Sequence, residues 1–139
     1  MLLQQLNRSD AEKVFIIVQN AAGVTITQGV PVCFDGRSAN SLGNAVMQPQ
    51  TSNLAAFAGV VDADTAADGF VLCQVYGYRA SVVAHVGADS ISARGLLLGP
   101  ATALWSLQSN GRTFAMGPVV CLENDLSGPG WIKAFIRAL

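Results

Sequence analysis

Charge is what this sequence has least of. Asp, Glu, Lys and Arg make up 12% of its 139 residues, about half the roughly 25% of an average soluble protein. The two lysines and six arginines are scattered, and the net charge is −1. No basic stripe exists to track phosphates, which argues against a nucleic-acid partner. No apolar run reaches the roughly 18 residues of a membrane-spanning helix. The opening MLLQQLNRSDAEK has neither a basic start nor a long apolar stretch, so it does not read as a signal peptide. There is one histidine, His85, and the cysteines are three: Cys33, Cys73 and Cys121. Their odd number and wide spacing fit no zinc site. Each sits in an apolar run (VPVCF, FVLCQV, VVCL) where a reduced thiol behaves as a small core hydrophobe, which suits a cytoplasm.

Two explanations fit so little charge. Interface centres are depleted of charge, so the surface suits contact with another protein. A surface of Ala, Ser, Thr, Asn and Gln would need no partner. The length predicts one domain, able to bury roughly 70% of the surface its unfolded chain exposes.

What is present is β-pattern almost throughout. Lys13 to Asn20 (KVFIIVQN) is β-branched and aromatic and predicts a strand. In Thr25 to Phe34 (TITQGVPVCF), Gly29 and Pro31 predict a bulged or edge strand. Asp35 to Asn53 reads as a polar loop with one short strand at Ala45 to Gln48. Leu54 to Val61 is the next strand, and Asp62 to Gly69 (DADTAADG) a turn suited to positive φ. Phe70 to Tyr76 alternates with apolar residues on both faces, which predicts a strand covered on both sides. Gly77 is then a bulge or bend. Tyr78 to Val86 forms a further strand with Arg79, Ser81, Val83 and His85 together on a half-solvated face.

Asn110-Gly111 is the preferred pair for a type I′ turn. It predicts a hairpin over Ala103 to Met116 with Trp105, Leu107, Phe114 and Met116 on one face. A short helix from Pro100 to Gln108 is the competing reading. GPVVCLEN and WIKAFIRAL are the last strands. TITQGVPV resembles SISARGLLL, and GVVDADTAADGFV resembles GPVVCLENDLSGPGWI, at offsets of 65, 58 and 61 residues. Either two related β-halves or similar turns alone would produce this.

Three sets of residues could carry chemistry. Cys73 with His85 would need a lowered thiol pKa, and the apolar flanks of Cys73 act the other way. Asp62, Asp64 and Asp68 offer oxygens but lack the Gly and bidentate Glu of a calcium loop. The glycine-rich SLGN and GPGW lack the Lys-Ser/Thr of a phosphate loop. The sequence therefore predicts no enzyme, no cofactor and no metal.

The ordered series TITQGVPV, FAGVV, DADTAADG, FVLCQVYGYRASV, SISARGLL and FAMGPVV resembles the capsid cement (head-decoration) proteins of tailed bacteriophages, over about Thr25 to Leu122. The segment Ala93-Arg94-Gly95 departs from the pattern by an extra residue before the glycine. The resemblance implies an all-β barrel or sandwich, made in the host cytoplasm, that sits on the outer surface of the virion capsid. Its implied partners are the major capsid protein, whose subunits it bridges, and itself as a homo-oligomer, most simply a trimer. The alternatives are another phage structural module (tail, baseplate or head fibre) or a cytoplasmic ligand-binding β-barrel.

On this reading the chain divides into an N-terminal arm, residues 1–12, and a single β-domain, residues 13–139. Leu2, Leu3 and Leu6 have no obvious place in a β-core, so the arm is expected to lie along a capsid subunit or a sister protomer. Asn110, Gly111 and Arg112 at the expected hairpin tip are the other contact candidates.

Overall fold

The computed structural model describes residues 12–37, 43–85, 94–102, 105–109, 117–123 and 129–138. Nine strands follow in order: β1 (Val14–Asn20), β2 (Pro31–Phe34), β3 (Ala45–Met47), β4 (Phe57–Val61), β5 (Phe70–Ala84), β6 (Leu97–Ala101), β7 (Ser106–Gln108), β8 (Val119–Cys121) and β9 (Gly130–Arg137). The described residues contain no α-helix, and the fold is all-β as the sequence predicts. The strands form one mixed sheet in the order β1-β3-β2-β4-β5-β7-β6-β8-β9, with β1–β5 and β5–β9 also paired. Those two extra pairings close the sheet twice. The first half of β5 completes a five-stranded ring with β1 to β4, and its second half opens another with β6 to β9.

The two rings are the same construction. Each has one parallel pair, β1–β3 and β5–β7, and antiparallel pairs elsewhere. The registers superpose. Val32 lies opposite Gly59 as Leu98 lies opposite Val119. Val61 lies opposite Cys73 as Cys121 lies opposite Ala134. Loop hydrogen bonds repeat as well. Gly29 N donates to Val61 O (2.9 Å) and Gly95 N to Cys121 O (2.7 Å), with φ of +80° and +82° at the two glycines. Ala21 N donates to Val46 O and His85 N to Leu107 O, at 2.8 and 2.9 Å. The internal repeat is therefore structural, and the register corrects its alignment: Gly29 matches Gly95, and Val60 matches Val120.

Equivalent positions fill the two interiors. Val18, Val32, Val46, Val61, Val71 and Cys73 pack the first ring; Val82, Leu98, Leu107, Cys121, Ile132 and Ala134 pack the second. Burying each large aliphatic contributes roughly 1.5–3 kcal/mol. Side chains fill both rings, as expected for closed sheets of so few strands.

Several expectations change. β5 is one fifteen-residue strand rather than two. Gly77, at φ +103°, marks where its partner switches from β1 to β9. β5 is covered on both sides only in part: Val71, Cys73 and Val75 are buried on one face and Gln74 on the other, where Phe70, Leu72 and Tyr76 are exposed. β2, β3 and β4 are buried on both faces, with Val61 in the first core and Val60 in the second, whereas the outer face of the first half of β5 stays largely open. Arg79 is buried rather than half-solvated, and does not share a face with Ser81. The register against β9 shifts between Arg79 and Val82, so an extra residue at Ala80-Ser81 reverses the alternation.

The helix over Pro100 to Gln108 is also overturned, because β6 and β7 occupy that stretch. Trp105 does not share a buried face with Leu107. It is exposed at φ +47°, just before β7, while Leu107 is buried in the second ring. The other arm of the expected hairpin, residues 110–116, lies outside the described residues.

Gly77 should be the least replaceable backbone position. A Cβ there would collide with the carbonyl oxygen of Glu12, and the positive φ adds strain of about 1–3 kcal/mol. Gly23, at φ +75° with open space around it, carries the strain without the collision. Gly77→Ala should lower the thermal midpoint clearly more than Gly23→Ala; equal shifts would show that Glu12 yields freely.

Candidate functional site

The contact candidates Leu2, Leu3, Leu6, Asn110, Gly111 and Arg112 lie outside the described residues. Cys73 and His85 are not brought together. Cys73 is inside the first ring, and His85 follows the far end of β5. All three thiols are free and buried. Burial pushes Cys33 and Cys73 up to about 12 and raises Cys121 as well. They are core residues, as the sequence suggests.

The acidic turn is engaged in structure. Asp62 pairs with Arg79, and Asp64 Oδ1 accepts from Gln28 N at 2.7 Å. Asp68 adopts the positive φ (+61°) that the turn requires. The turn is pinned from beneath by a residue sequence reasoning missed. Buried Asn20 donates through Nδ2 to the carbonyls of Val24, Thr65 and Ala66 (2.8–3.0 Å) and accepts Ala22 N on Oδ1.

Where the rings meet, a groove of about 390 Å³ is lined by residues that include Lys13, Phe15, Gln28, Asp62, Gln74, Arg79 and Trp131. Its floor is a polar clamp built on the β5 bend. Gln74 Nε2 donates to the carbonyls of Tyr76 and Tyr78, on either side of Gly77, at 3.2 and 3.1 Å. The Arg79 guanidinium donates to Ser81 O, Asp62 Oδ1, Gln74 Oε1 and Val61 O at 2.8–3.3 Å. Arg79 is only 8% exposed. Four of its five N–H directions are thus committed inside the protein. This arrangement fastens one ring to the other; its main cation is neutralised by Asp62 rather than aimed at a ligand. A lone Gln in the run FVLCQVYGY was the available signal for the clamp.

The second feature is apolar. On the outside of the first ring, Ile17 lies directly opposite Leu72 and Gln19 opposite Phe70. Ile17, Phe70 and Leu72 are 64%, 62% and 47% exposed, and Tyr76 continues the row. The second ring shows that the fold does not require this. At the position of Leu72 it has Lys133, ion-paired with Glu123 at 2.7 Å, and opposite it runs the small Ala80-Ser81 bulge in place of Ile17. The same strand geometry carries Ile17 and Leu72 outside one ring and the Ala80-Ser81 bulge and Lys133 outside the other, while exposed aromatics, Phe70 and Trp131, hold matching places in both.

Two measurements follow. Arg79→Met should destabilise the protein by about 2–4 kcal/mol, because buried carbonyl acceptors lose their donor. Asp62→Asn, at a half-exposed partner, should cost under about 1 kcal/mol. Equal losses in denaturant titrations would mean the ion pair, not the carbonyl contacts, holds the clamp. The raised thiols set an alkaline limit. The native chain keeps its thiol protons while the unfolded chain loses them near the ordinary 9.0. Stability should therefore be unaffected by these groups below pH 9 and fall as pH rises toward 12. Replacing Cys33 and Cys73 with Ala should flatten that slope; an unchanged slope would assign it to other groups.

A scan of the sequence against models of known protein families finds none that matches, and no curated protein matches it.

Proposed function

We propose that this chain is a structural virion protein that attaches to the outside of a tailed-phage head and stabilises it by bridging major capsid subunits. The observation that carries this reading is the apolar outer face of β1 and β5, where Ile17 and Leu72 stand exposed at positions that the equivalent ring fills with the Ala80-Ser81 bulge and the ion-paired Lys133. Of this row Tyr76 packs edge-on against Phe135, whereas Ile17, Phe70 and Leu72 are largely exposed and lie outside both core clusters. Covering such a face contributes roughly 25 cal/mol per Å² of apolar area removed from water. In a chain with 12% charged residues, the face suits a broad protein contact. The resemblance in turn pattern to head-decoration proteins names the surface it would meet. The filled ring interiors weigh against the ligand-barrel alternative, which needs an apolar lumen with room for a guest.

The test is cosedimentation with expanded, undecorated heads of a phage that encodes this chain. The wild-type protein should pellet with the heads. Ile17→Glu/Leu72→Glu should bind at least tenfold less while keeping the wild-type melting curve, because both side chains point outward. Undiminished binding by the folded double variant would remove this face from the proposal, and failure of the wild type to bind would remove the head.

A further inference from the structure

The two rings meet through a particular contact. The Trp131 ring of the second lies over Gly29 of the first, so closely that a side chain at Gly29 would collide with it. Beside it, Val83 N donates to Gly29 O at 3.0 Å, and Val83 packs on the first ring's core. The junction therefore has two parts. One is an aromatic at the start of a ring's last strand, and the other is a positive-φ glycine in the neighbouring ring.

Among the described residues each part occurs once more, unmatched. Phe70 holds in the first ring the place of Trp131: it lies opposite Gln19 in the pairing of β1 with β5, as Trp131 lies opposite Val83 in the pairing of β5 with β9. It is exposed. Gly95 holds in the second ring the place of Gly29, with nearly the same φ and a hydrogen bond to the end of β8 as Gly29 has to the end of β4. A Cβ at Gly95 meets nothing within 4 Å among the described residues. Among the described residues, Phe70 thus covers no glycine turn of a neighbouring ring, and no aromatic covers Gly95.

We infer that a second copy of this chain completes both: Phe70 of one copy packs on the Gly95 turn of the next, repeating between chains the junction that Trp131 and Gly29 make within one. Such a contact is heterologous, joining two different surfaces, so copies add head to tail and close into a ring wherever the rotation permits. It continues an interface the molecule already contains, with apolar neighbours Ile17 and Leu72 beside it. One bond is not repeated. Gln19 N, the counterpart of Val83 N, already donates to Asn44 O at 3.0 Å, so the contact between chains has one hydrogen bond fewer than the contact within. The inference identifies one partner of the apolar face proposed above and rests on that face being an interface, but not on the partner being a phage head.

Mixed-variant cross-linking tests it in solution, without heads. Leu72→Cys, which lies beside Phe70 on the same face and keeps that ring, and Arg94→Cys are prepared separately; the native cysteines are buried and stay silent. Under mild oxidation at micromolar concentration, the mixture should give a disulfide-linked dimer on a non-reducing gel, and neither variant alone should. A link formed by Leu72→Cys with itself would mean the face pairs with its own copy and would overturn the head-to-tail contact. No link in the mixture would overturn it too, whatever the mass in solution. Light scattering supplies the second reading. Phe70→Glu should fall to the monomer mass of 14.5 kDa with an unchanged melt, and Phe70→Trp, which restores the pattern of Trp131, should hold the oligomer at lower concentrations than wild type. A wild-type protein that is monomeric yet binds heads would overturn this inference and leave the proposed function standing.

Discussion

One strand belongs to two closed rings, and the rest of the structure follows from holding it there. β5 must finish the first ring and begin the second without a break in its backbone, so its partners change at Tyr76 and Gly77. The bend leaves the carbonyls of Tyr76 and Tyr78 to be satisfied at a point where the ladder is being handed over. Gln74 supplies the donors, and Arg79 ties Gln74 to Val61 and Asp62 of the first ring. A buried cation in such a place is stable only because carbonyls, an amide and a carboxylate surround it. Its neutralised, internally bonded state marks it as a fastener rather than a binding group.

The comparison between rings separates what the fold requires from what it permits. Interior positions are apolar and small to medium in both, because a five-stranded ring encloses little volume. One exception is instructive. Asn20 and Ala84 occupy matching places, opposite Val46 and Leu107, yet only Asn20 carries an amide, used to tether the turn around Thr65. Outside, the rings diverge without constraint from packing: Leu72 against Lys133, Ile17 against the Ala80-Ser81 bulge. Divergence at structurally equal positions is where a requirement other than folding shows itself.

Much of this was legible in the residues. Alternation placed the interior of β9 and of the first half of β5 correctly, and the apolar settings of Cys33, Cys73 and Cys121 gave their burial. The faint repeat pointed to the two rings, although its offsets were out by one or two residues because loops of unequal length imitate one another. Three things were not legible. Apolar residues on both faces of Phe70 to Tyr76 look the same whether the outer face is covered by a second layer or left open. A bulge at Ala80-Ser81 leaves no mark in the pattern, since small residues suit either side of a strand, and so Arg79 was put on the wrong face. Trp105 looked like a strand residue because its side chain favours sheets; its positive φ comes from the turn into β7.

The account turns on the outer face of β1 and β5 being covered when the protein is at work. Hydroxyl-radical footprinting reads that directly, since it labels side chains according to their contact with water. Labelling should be compared between the free chain at low concentration and the chain on decorated heads. The account predicts that Ile17, Phe70, Leu72 and Tyr76 lose most of their labelling on the heads, while exposed Val24 at the β1–β2 turn serves as the reference. Labelling of those four residues that stays equal to the free chain's would contradict it.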